Sequence, residues 1–256
     1  MSLFRRPPQP HAWYLMNLTL DIETLPPIPP SGRSAEQGVE WIREYLLDAG
    51  HEAPEPHPSE AAHAKWASKL DKTWRALSLD PLHGRILCIG YAIDTCTPET
   101  IYNASGSIEG ERDLLQTFAT MLHRRCGSTG IRSLNWYGWN HISFDLPFLM
   151  VRGLRHDMAS ELCRWLPWGE APWKMRRAID IYRAYVGPRW RPKGGLKDYA
   201  RTLLHARRAP DGGIADGSVV LDQWVAGHHE QICEYCAGDV INTRKLAIMA
   251  KQAGMY

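Results

Sequence analysis

The chain has little cysteine, with six residues scattered among 256. Proteins held together by disulfides are usually much shorter and carry cysteine at higher density, so the sequence argues against a disulfide framework and favours a reducing compartment. Cys233 and Cys236, close to His228 and His229, suggest zinc or redox chemistry. No second cysteine pair completes a tetrahedral site, so zinc is not predicted.

Long apolar runs are also missing. No stretch approaches the roughly 18 apolar residues that a membrane-spanning helix needs. Residues 1–11 contain Arg5 and Arg6 without an apolar core after them, so they do not form a signal peptide and are predicted to be a loose arm. These absences predict a soluble, cytoplasmic protein.

Internal repeats and low-complexity linkers are absent as well, which predicts that residues 1–256 form a single domain. The formal net charge is only +2, but residues 151–208 hold 14 Lys or Arg against 5 Asp or Glu, a net charge of +9 that leaves −7 for the rest. Clustered basic side chains bind phosphates through counterion release, so a nucleic acid is an expected partner. A merely soluble basic surface is the alternative.

The chain does contain an apolar run that ends in two acids. Residues 18–25 read Leu-Thr-Leu-Asp-Ile-Glu-Thr-Leu, and prolines follow. Successive side chains of a β-strand point to opposite faces, so Asp21 and Glu23 share one face. Like charges this close repel unless a cation lies between them, and oxygen ligands suit a hard divalent ion such as Mg2+ or Mn2+. Two surface acids at a solvated strand end are the alternative.

Two further acids stand in distinctive surroundings. Asp145 ends the segment Trp-Asn-His-Ile-Ser-Phe-Asp at 139–145, and Asp239 ends Tyr-Cys-Ala-Gly-Asp at 235–239. Together with the strand above, these stretches resemble the DEDD superfamily of 3'-to-5' exonucleases, in the branch whose last motif is Tyr-x-x-x-Asp. The histidine branch would have histidine five residues before the final acid, where this chain has Glu234.

The likeness is greatest to the proofreading exonuclease domains of family B DNA polymerases and their stand-alone relatives, and it extends over residues 13–253. It implies a ribonuclease H-like α/β fold, a mixed five-stranded sheet flanked by helices. It also implies that four acids hold two Mg2+ or Mn2+ ions while Tyr235 orients the attacking water. The implied metal ligands, which are also catalytic residues, are Asp21, Glu23, Asp145 and Asp239.

The implied activity is the removal of 5'-mononucleotides from the 3' ends of single-stranded DNA, with a function and a partner protein in replication or repair. A 3'-to-5' exoribonuclease is one alternative, and a non-catalytic nucleic-acid-binding module of the same fold is another. Ribonuclease H-type hydrolases and transposase-like enzymes also cluster acids, but they do not require both Asp-x-Glu on one strand and a terminal Tyr-x-x-x-Asp.

The resemblance also implies substrate contacts. Thr24 and Leu25 follow the two acids at positions that touch the terminal nucleotide in related enzymes, and Asn140 and Phe144 occupy similar positions in the second motif. An aromatic ring such as Phe144 stacks on bases regardless of sequence, and core packing is its alternative.

A further substrate residue is predicted from composition. The segment 189–193, Arg-Trp-Arg-Pro-Lys, interleaves charge with an aromatic ring as single-strand grooves do, so Lys193 is a predicted substrate ligand; a surface loop is the alternative. Asp145 would also suit a helix N-cap, and Tyr235 a packed position in a helix. Asp180, a fifth acid, is interpreted as a structural or supporting residue.

Periodicity predicts strands at 13–24, 85–93, 99–103, 131–137 and from 178 to 182, and helices at 35–48, 59–77, 111–125, 146–155, 196–205 and 228–253. The first two helices form an insertion at 31–77, for which packing is favoured over guidance of substrate. Residues 157–176 are expected to be irregular and partly exposed.

Overall fold

The computed structural model describes residues 16–28, 35–51, 60–127, 134–167, 177–187, 194–206, 214 and 216–256. The predicted N-terminal arm and the segment 189–193, which includes Lys193, lie outside the described residues.

Five strands form one mixed sheet in the order β3-β2-β1-β4-β5. The strands are β1 (Met16–Leu25), β2 (Arg85–Ile93), β3 (Glu99–Tyr102), β4 (Leu134–Gly138) and β5 (Ala178–Asp180). The first three pair antiparallel, whereas β4 pairs parallel with both β1 and β5. The predicted mixed five-stranded α/β sheet is therefore confirmed, with β1 at its centre.

Eight α-helices flank the sheet within the described ranges. They are α1 (Ala35–Asp48), α2 (Glu60–Ala76), α3 (Ile108–Cys126), α4 (Asp145–Arg155), α5 (Ile181–Val186), α6 (Leu196–Leu204), α7 (Val220–Val225) and α8 (His229–Gln252). The short helix α7 falls in a stretch to which the sequence assigns no element. Strand β5 ends earlier than predicted, because the Asp180 side chain accepts the backbone N–H of Arg183 and caps α5.

The sheet has two differently covered faces. Leu18, Leu20 and Ile22 of β1 belong to the main core, which α3 and α4 complete. The residues between them point to the other face, where α8 crosses β1 and β2. Gly90 of β2 permits a close approach there, since a Cβ at this position would lie 2.8 Å from the Sγ of Cys236. The alternation in β1 thus directs Asp21 and Glu23 toward α8.

The described part of the region predicted to be irregular and partly exposed, 157–167, has both properties, since Asp157 and Arg164 are among its exposed residues. Its apolar side chains are nevertheless buried: Met158, Leu162 and Trp165 are each at most 3% exposed and join the main core. The chain folds back against α4, where the Met158 N–H donates to the Gly153 carbonyl at 2.8 Å.

The insertion formed by α1 and α2 packs around its own apolar cluster, which includes Trp66. It is also joined to the end of β1. The Trp74 indole N–H donates to the Pro27 carbonyl at 2.8 Å, and the Thr24 hydroxyl donates to the Ser78 carbonyl at 2.7 Å. These contacts favour the packing interpretation of the insertion.

A buried ion network joins β2, α3 and α4. The Glu111 carboxylate is fully buried and accepts the Ile86 backbone N–H at 2.8 Å. It also accepts two N–H groups of Arg152, at 2.9 and 2.6 Å, and lies 2.9 Å from His156 Nε2. The Glu111 carboxylate on α3 is thus compensated by hydrogen-bond donors on β2 and at the C-terminal part of α4.

Among the helices in the described ranges, none has the length and apolar character required to cross a membrane.

Candidate nuclease site

Strand β1 delivers two acids to the face that α8 covers. Asp21 lies opposite Gly90 of β2 and Glu23 opposite Cys88, and an irregularity in the pairing follows directly after Glu23. Glu23 is buried, and Asp21 is half-buried. Ligand atoms of these two carboxylates and of Cys236 all lie within 4.8 Å of one another. The strand geometry expected from the sequence therefore holds for both acids.

Asp145 reaches the same strand from α4. Its carboxylate is buried, and Oδ1 accepts the backbone N–H of Ile22 at 3.0 Å, between the two β1 acids. Asp145 is the first residue of α4, and Phe144 occupies the N-cap position. The N-cap alternative for Asp145 is therefore wrong. An acid in the first turn still complements the positive end of the helix dipole.

Helix α8 contributes Tyr235 and Asp239, which are one turn apart. The buried Asp239 carboxylate forms an ion pair with Lys197 of α6. The Lys197 ammonium also lies 4.1 Å from the centre of the Tyr235 ring, a cation–π contact. Its charge acts on both β1 acids, since Lys197 lowers the pKa of Asp21 and of Glu23 against larger opposing effects. Lys197 thus lies between the two sides of the acid cluster.

Burial and mutual repulsion dominate the electrostatics of the cluster. Burial raises the pKa of Asp21 to about 7, although Lys197 and a hydrogen bond from Cys236 oppose it. Burial, followed by the charge of Asp21, raises the pKa of Glu23 and of Asp145 well above the usual range of carboxylic acids. Among the described residues, Lys197 is the cation that opposes these shifts, and the pKa values of Asp21 and Glu23 stay raised despite it, so the acids are poised to accept further positive charge.

The two α8 side chains beside the acids, Tyr235 and Cys236, carry protons at neutral pH. Burial, and then the charges of Glu23 and Asp21, raise the pKa of the Tyr235 phenol above its ordinary value. The pKa of Cys236 is raised to about 12, where burial and the neighbouring acids outweigh its hydrogen bonding to Cys88. Its thiol lies 3.6 Å from both the backbone carbonyl and the carboxylate of Asp21 and can donate to them.

This donor set fits hard divalent ions. Among the described residues, the compact ligand group consists of Asp21, Glu23 and Cys236, and Asp145 and Asp239 are outside it. The charge of Asp21 acts on Asp145, and Asp239 is connected to the β1 acids through Lys197. Mg2+ and Mn2+ prefer carboxylate oxygen, and a protonated thiol is a poor ligand for them. Cys236 therefore supports the Asp21 carboxylate, while the carboxylates are the groups that would hold an ion.

The predicted substrate residues have different placements. Leu25 is fully buried among apolar side chains, so it has no surface with which to contact a nucleotide. Thr24 is half-buried, and its hydroxyl donates to the carbonyl of Ser78, the residue that follows the insertion. The ring of Phe144 is half-buried against Phe148, with centroids 5.0 Å apart, which supports the packing alternative.

Asn140 and Asp180 form a local support for the loop before α4. Asn140 has a φ of 57° and donates its backbone N–H to Asp180 at 3.0 Å, and the Ile142 N–H lies 3.4 Å from the same carboxylate. Asp180 is thus occupied by backbone donors, consistent with the supporting function assigned to it. The Asn140 backbone thus helps to fix the loop before α4 through its hydrogen bond to Asp180.

Two residues of the site, Lys197 and Cys236, were not predicted from the sequence. Cys236 was considered only together with Cys233, for zinc or redox chemistry. Lys197 follows the buried Leu196 and precedes the buried Ala200 by one turn, so it borders the inward stripe of α6. A lysine in that position usually extends along the apolar surface into water. The only signal available was this border position, and it does not reveal that an acid of α8 lies opposite.

A family model described as a predicted 3'-5' exonuclease related to the exonuclease domain of PolB matches residues 85–249, more than half of the chain. The matched segment includes Asp145, Tyr235 and Asp239, and it begins after β1. The β1 acids thus lie outside the matched segment, and the fold brings them to it.

None of the curated proteins matches the chain. Among solved structures, the family B DNA polymerase from the hyperthermophilic archaeon Pyrobaculum calidifontis is similar, with a TM-score of 0.52 and 15% identity over 92% of this chain. The chain spans only 24% of that polymerase. This likeness confirms the predicted ribonuclease H-like fold. The chain belongs to the family of predicted 3'-5' exonucleases related to the exonuclease domain of PolB.

Proposed function

We propose that the protein removes 5'-mononucleotides from the 3' end of single-stranded DNA by hydrolysing the terminal phosphodiester. The observation that carries the proposal is that Asp21, Glu23 and Asp145 meet on β1 with raised pKa values, beside the helix that bears Tyr235 and Asp239. Buried acids that repel one another cost free energy, and bound divalent cations relieve that cost.

Four acids would hold two divalent ions in this proposal. Asp21 and Glu23 offer oxygens from β1, Asp145 from the start of α4, and Asp239 from α8. When bound, the two ions supply positive charge to both the attacking and the leaving oxygen of the phosphodiester. Lys197 pairs with Asp239 in the ion-free protein and so limits the repulsion until ions arrive.

Tyr235 acts in this proposal by positioning. Its raised pKa keeps the phenol protonated at neutral pH, so it is a poor base but a good hydrogen-bonding group. The cation–π contact with Lys197 fixes the ring beside the acids. The hydroxyl would therefore orient the attacking water toward the phosphorus atom.

A DNA substrate and a single catalytic domain are parts of the same proposal. DNA is favoured over RNA because the similar solved structure is a DNA polymerase. The chain would form one exonuclease domain, with α1 and α2 as an insertion that packs against the end of β1. The single-strand preference rests on the family resemblance, and the basic segment 151–208 supports a nucleic-acid partner in general.

The test compares 5'-end-labelled single-stranded DNA and RNA of identical sequence, each with Mg2+, Mn2+ or EDTA. We expect stepwise shortening of the DNA with either metal, release of 5'-mononucleotides, and no reaction in EDTA. A 3'-phosphate should block the reaction, and a circular single strand should stay intact. Cleavage of the circle would show an endonuclease, and faster digestion of RNA would show an exoribonuclease.

A matched pair of variants ties the activity to the site. Asp239→Asn should be inactive, whereas Asp113→Asn, on the exposed face of α3, should retain full activity. Tight binding of DNA without digestion by the unmodified chain, under every metal condition, would contradict the proposal and favour a non-catalytic binding module.

A further inference from the structure

Three of the six cysteines come together beside the proposed nuclease site. Cys88 lies on β2, and Cys233 and Cys236 lie on α8; all three are free thiols. Cys88 and Cys236 are buried, and Cys233 is half-buried. The cluster therefore has one member that a small solvent-borne reagent can reach and two behind it. The sequence shows only the pair on α8, and the fold adds Cys88.

Cys233 packs against the buried cluster that contains Cys88 and Cys236. Its thiol is hydrogen-bonded to Cys88 and to Thr100, and these bonds lower the pKa of Cys233 to about 7, although burial and the charges of Glu230 and Glu234 oppose the shift. A substantial share of Cys233 is therefore thiolate at neutral pH, with the Cys88 thiol beside it.

The arrangement does not suit zinc. A structural zinc site needs four ligand atoms at tetrahedral positions around one ion. In the described part of the chain, the compact ligand group contains only Cys236 of these cysteines, together with Asp21 and Glu23. The three sulfurs thus do not surround a common point, which favours pairwise sulfur chemistry.

We propose that Cys233 and Cys88 form a hydroperoxide-sensitive thiol pair that closes into a disulfide between α8 and β2. The Cys233 thiolate attacks one oxygen of the hydroperoxide, so that an S–O bond forms, the O–O bond breaks, and the leaving oxygen takes up a proton. The Cys88 sulfur then attacks the Cys233 sulfenic acid, an S–S bond forms, and hydroxide leaves with the Cys88 proton as water. With hydrogen peroxide, two thiols lose two electrons and one peroxide becomes two waters.

The proposed disulfide would act on the nuclease site through α8 and β2. Bonded sulfurs lie about 2.05 Å apart, much closer than hydrogen-bonded thiols, so closing the bond draws α8 toward β2. Tyr235 lies between the two cysteines of α8, and Cys88 is paired with Glu23 across the sheet. A displacement of Tyr235 relative to the β1 acids should slow the reaction by about tenfold or more, since catalytic geometry tolerates little misplacement. This last step rests on the proposed nuclease function; the disulfide itself does not.

The first test measures the disulfide alone. The reduced full-length protein is treated with hydrogen peroxide in EDTA, quenched with catalase and alkylated, and its peptides are sequenced by mass spectrometry. We expect a loss of two free thiols and a crosslink between Cys88 and Cys233. Cys96 shares a tryptic peptide with Cys88, so the mapping is repeated in the exposed-site variant Cys96→Ser, which should crosslink like the unmodified chain.

Variants identify the order of events. Cys233→Ser should abolish the crosslink, whereas Cys88→Ser should leave a sulfenic acid on Cys233 that dimedone traps. If Cys88→Ser does not fold, the crosslink map of the unmodified chain still tests whether peroxide joins Cys88 to Cys233. A crosslink between Cys233 and Cys236, or no peroxide-dependent crosslink at all, would overturn the proposal.

The second test measures nuclease activity of the same samples. We expect oxidation to slow digestion of single-stranded DNA by about tenfold or more, dithiothreitol to restore it, and Cys233→Ser to be active and insensitive to peroxide. Formation of the crosslink with unchanged activity would overturn the regulatory step. A chain that forms the crosslink but digests nothing even when reduced would instead contradict the proposed nuclease function.

Discussion

Two groups of buried acids in this molecule have opposite electrostatic outcomes. Burial alone would raise the pKa of Glu111, but the hydrogen bonds and charge of Arg152, together with His156 and the Ile86 N–H, lower it below its ordinary value. The pKa values of Asp21, Glu23 and Asp145 are raised instead. The difference lies in the compensating charges and hydrogen bonds, because burial acts to raise the pKa at both places.

An acid that stabilises the fold differs from an acid that can bind a cation in whether the chain itself supplies the compensating charge. Glu111 has its charge partner within the chain, with Arg152 donating two N–H groups to it. In the part of the chain that the structure describes, the cation beside the β1 acids is Lys197, which is ion-paired with Asp239. A fold that places several acids together without matching cations is stable only as long as protons or external cations supply the charge.

Removal of one acid from β1 should have the largest effect. Asp21→Ala should abolish measurable turnover on single-stranded DNA, because it removes a proposed ion ligand. The same change relieves repulsion, so the metal-free protein should unfold at an equal or higher temperature. Turnover in Mg2+ and thermal unfolding in EDTA measure the two effects. Near-normal turnover would show that the β1 acids do not form the active site.

The opposite result is expected at the compensated acid. Glu111→Gln leaves Arg152 buried without its counter-charge, and breaking a buried ion pair in this way costs about 3–5 kcal/mol in the free energy of unfolding. Urea unfolding measures the cost. Glu109→Gln, on the exposed face of the same helix, is the matched control and should change stability little. An equal effect of both substitutions would show that the Glu111 network does not stabilise the fold.

Tyr235→Phe should have an intermediate effect. The ring and its packing against Lys197 are kept, but the hydroxyl that orients water is lost, so turnover should fall about 100-fold while DNA binding and metal affinity change little. A higher pH should partly rescue the variant, since it ionises more of the attacking water. Single-turnover rates across pH provide the measurement, with Tyr91→Phe on β2 as the control. Unchanged turnover at every pH would show that the hydroxyl is idle.

The smallest effect concerns pH and the stability of the metal-free protein. The folded-state pKa of Asp21, about 7, is above the value of 3.8 for an unperturbed aspartate. The folded state therefore holds this proton more tightly than the unfolded state, and stability falls as the pH rises through the window from about 4 to 7. We expect a loss of about 1–2 kcal/mol over that window, a value discounted for the partial exposure of Asp21.

Addition of Mg2+ is the control for the effect of pH on stability. Thermal unfolding in EDTA at pH 5 and pH 8 should show the lower stability at pH 8, and Mg2+ should restore it there. Asp21→Asn should remove much of the difference between the two pH values. A metal-free protein that becomes more stable between pH 5 and pH 8 would contradict the compensation argument. Glu111 acts in the opposite direction, because its lowered pKa gives stability that is lost only as the pH falls into the acidic range.

Much of the fold was accessible from the sequence because it depends on local periodicity. Strand β2 and the helix α1 begin and end where predicted, and the other predicted elements agree within a few residues in the described ranges, whereas the short helices α5 and α7 were not predicted. Residues 157–167 are irregular and partly exposed as predicted, but the burial of Met158, Leu162 and Trp165 was not predicted, because it comes from contact with α4 and gives no periodic signal. Whether the chain is one domain stays a prediction.

Within the candidate site, the sequence by itself determined which side chains of one element share a face. Asp21 and Glu23 lie on one side of β1 because strand side chains alternate, and Tyr235 and Asp239 lie one turn apart because helices repeat every 3.6 residues. Only the tertiary structure decided what faces them. Lys197 against Asp239 and Cys88 against Cys233 join elements far apart in the chain. No local period encodes such contacts, since they arise from how the sheet and its helices pack.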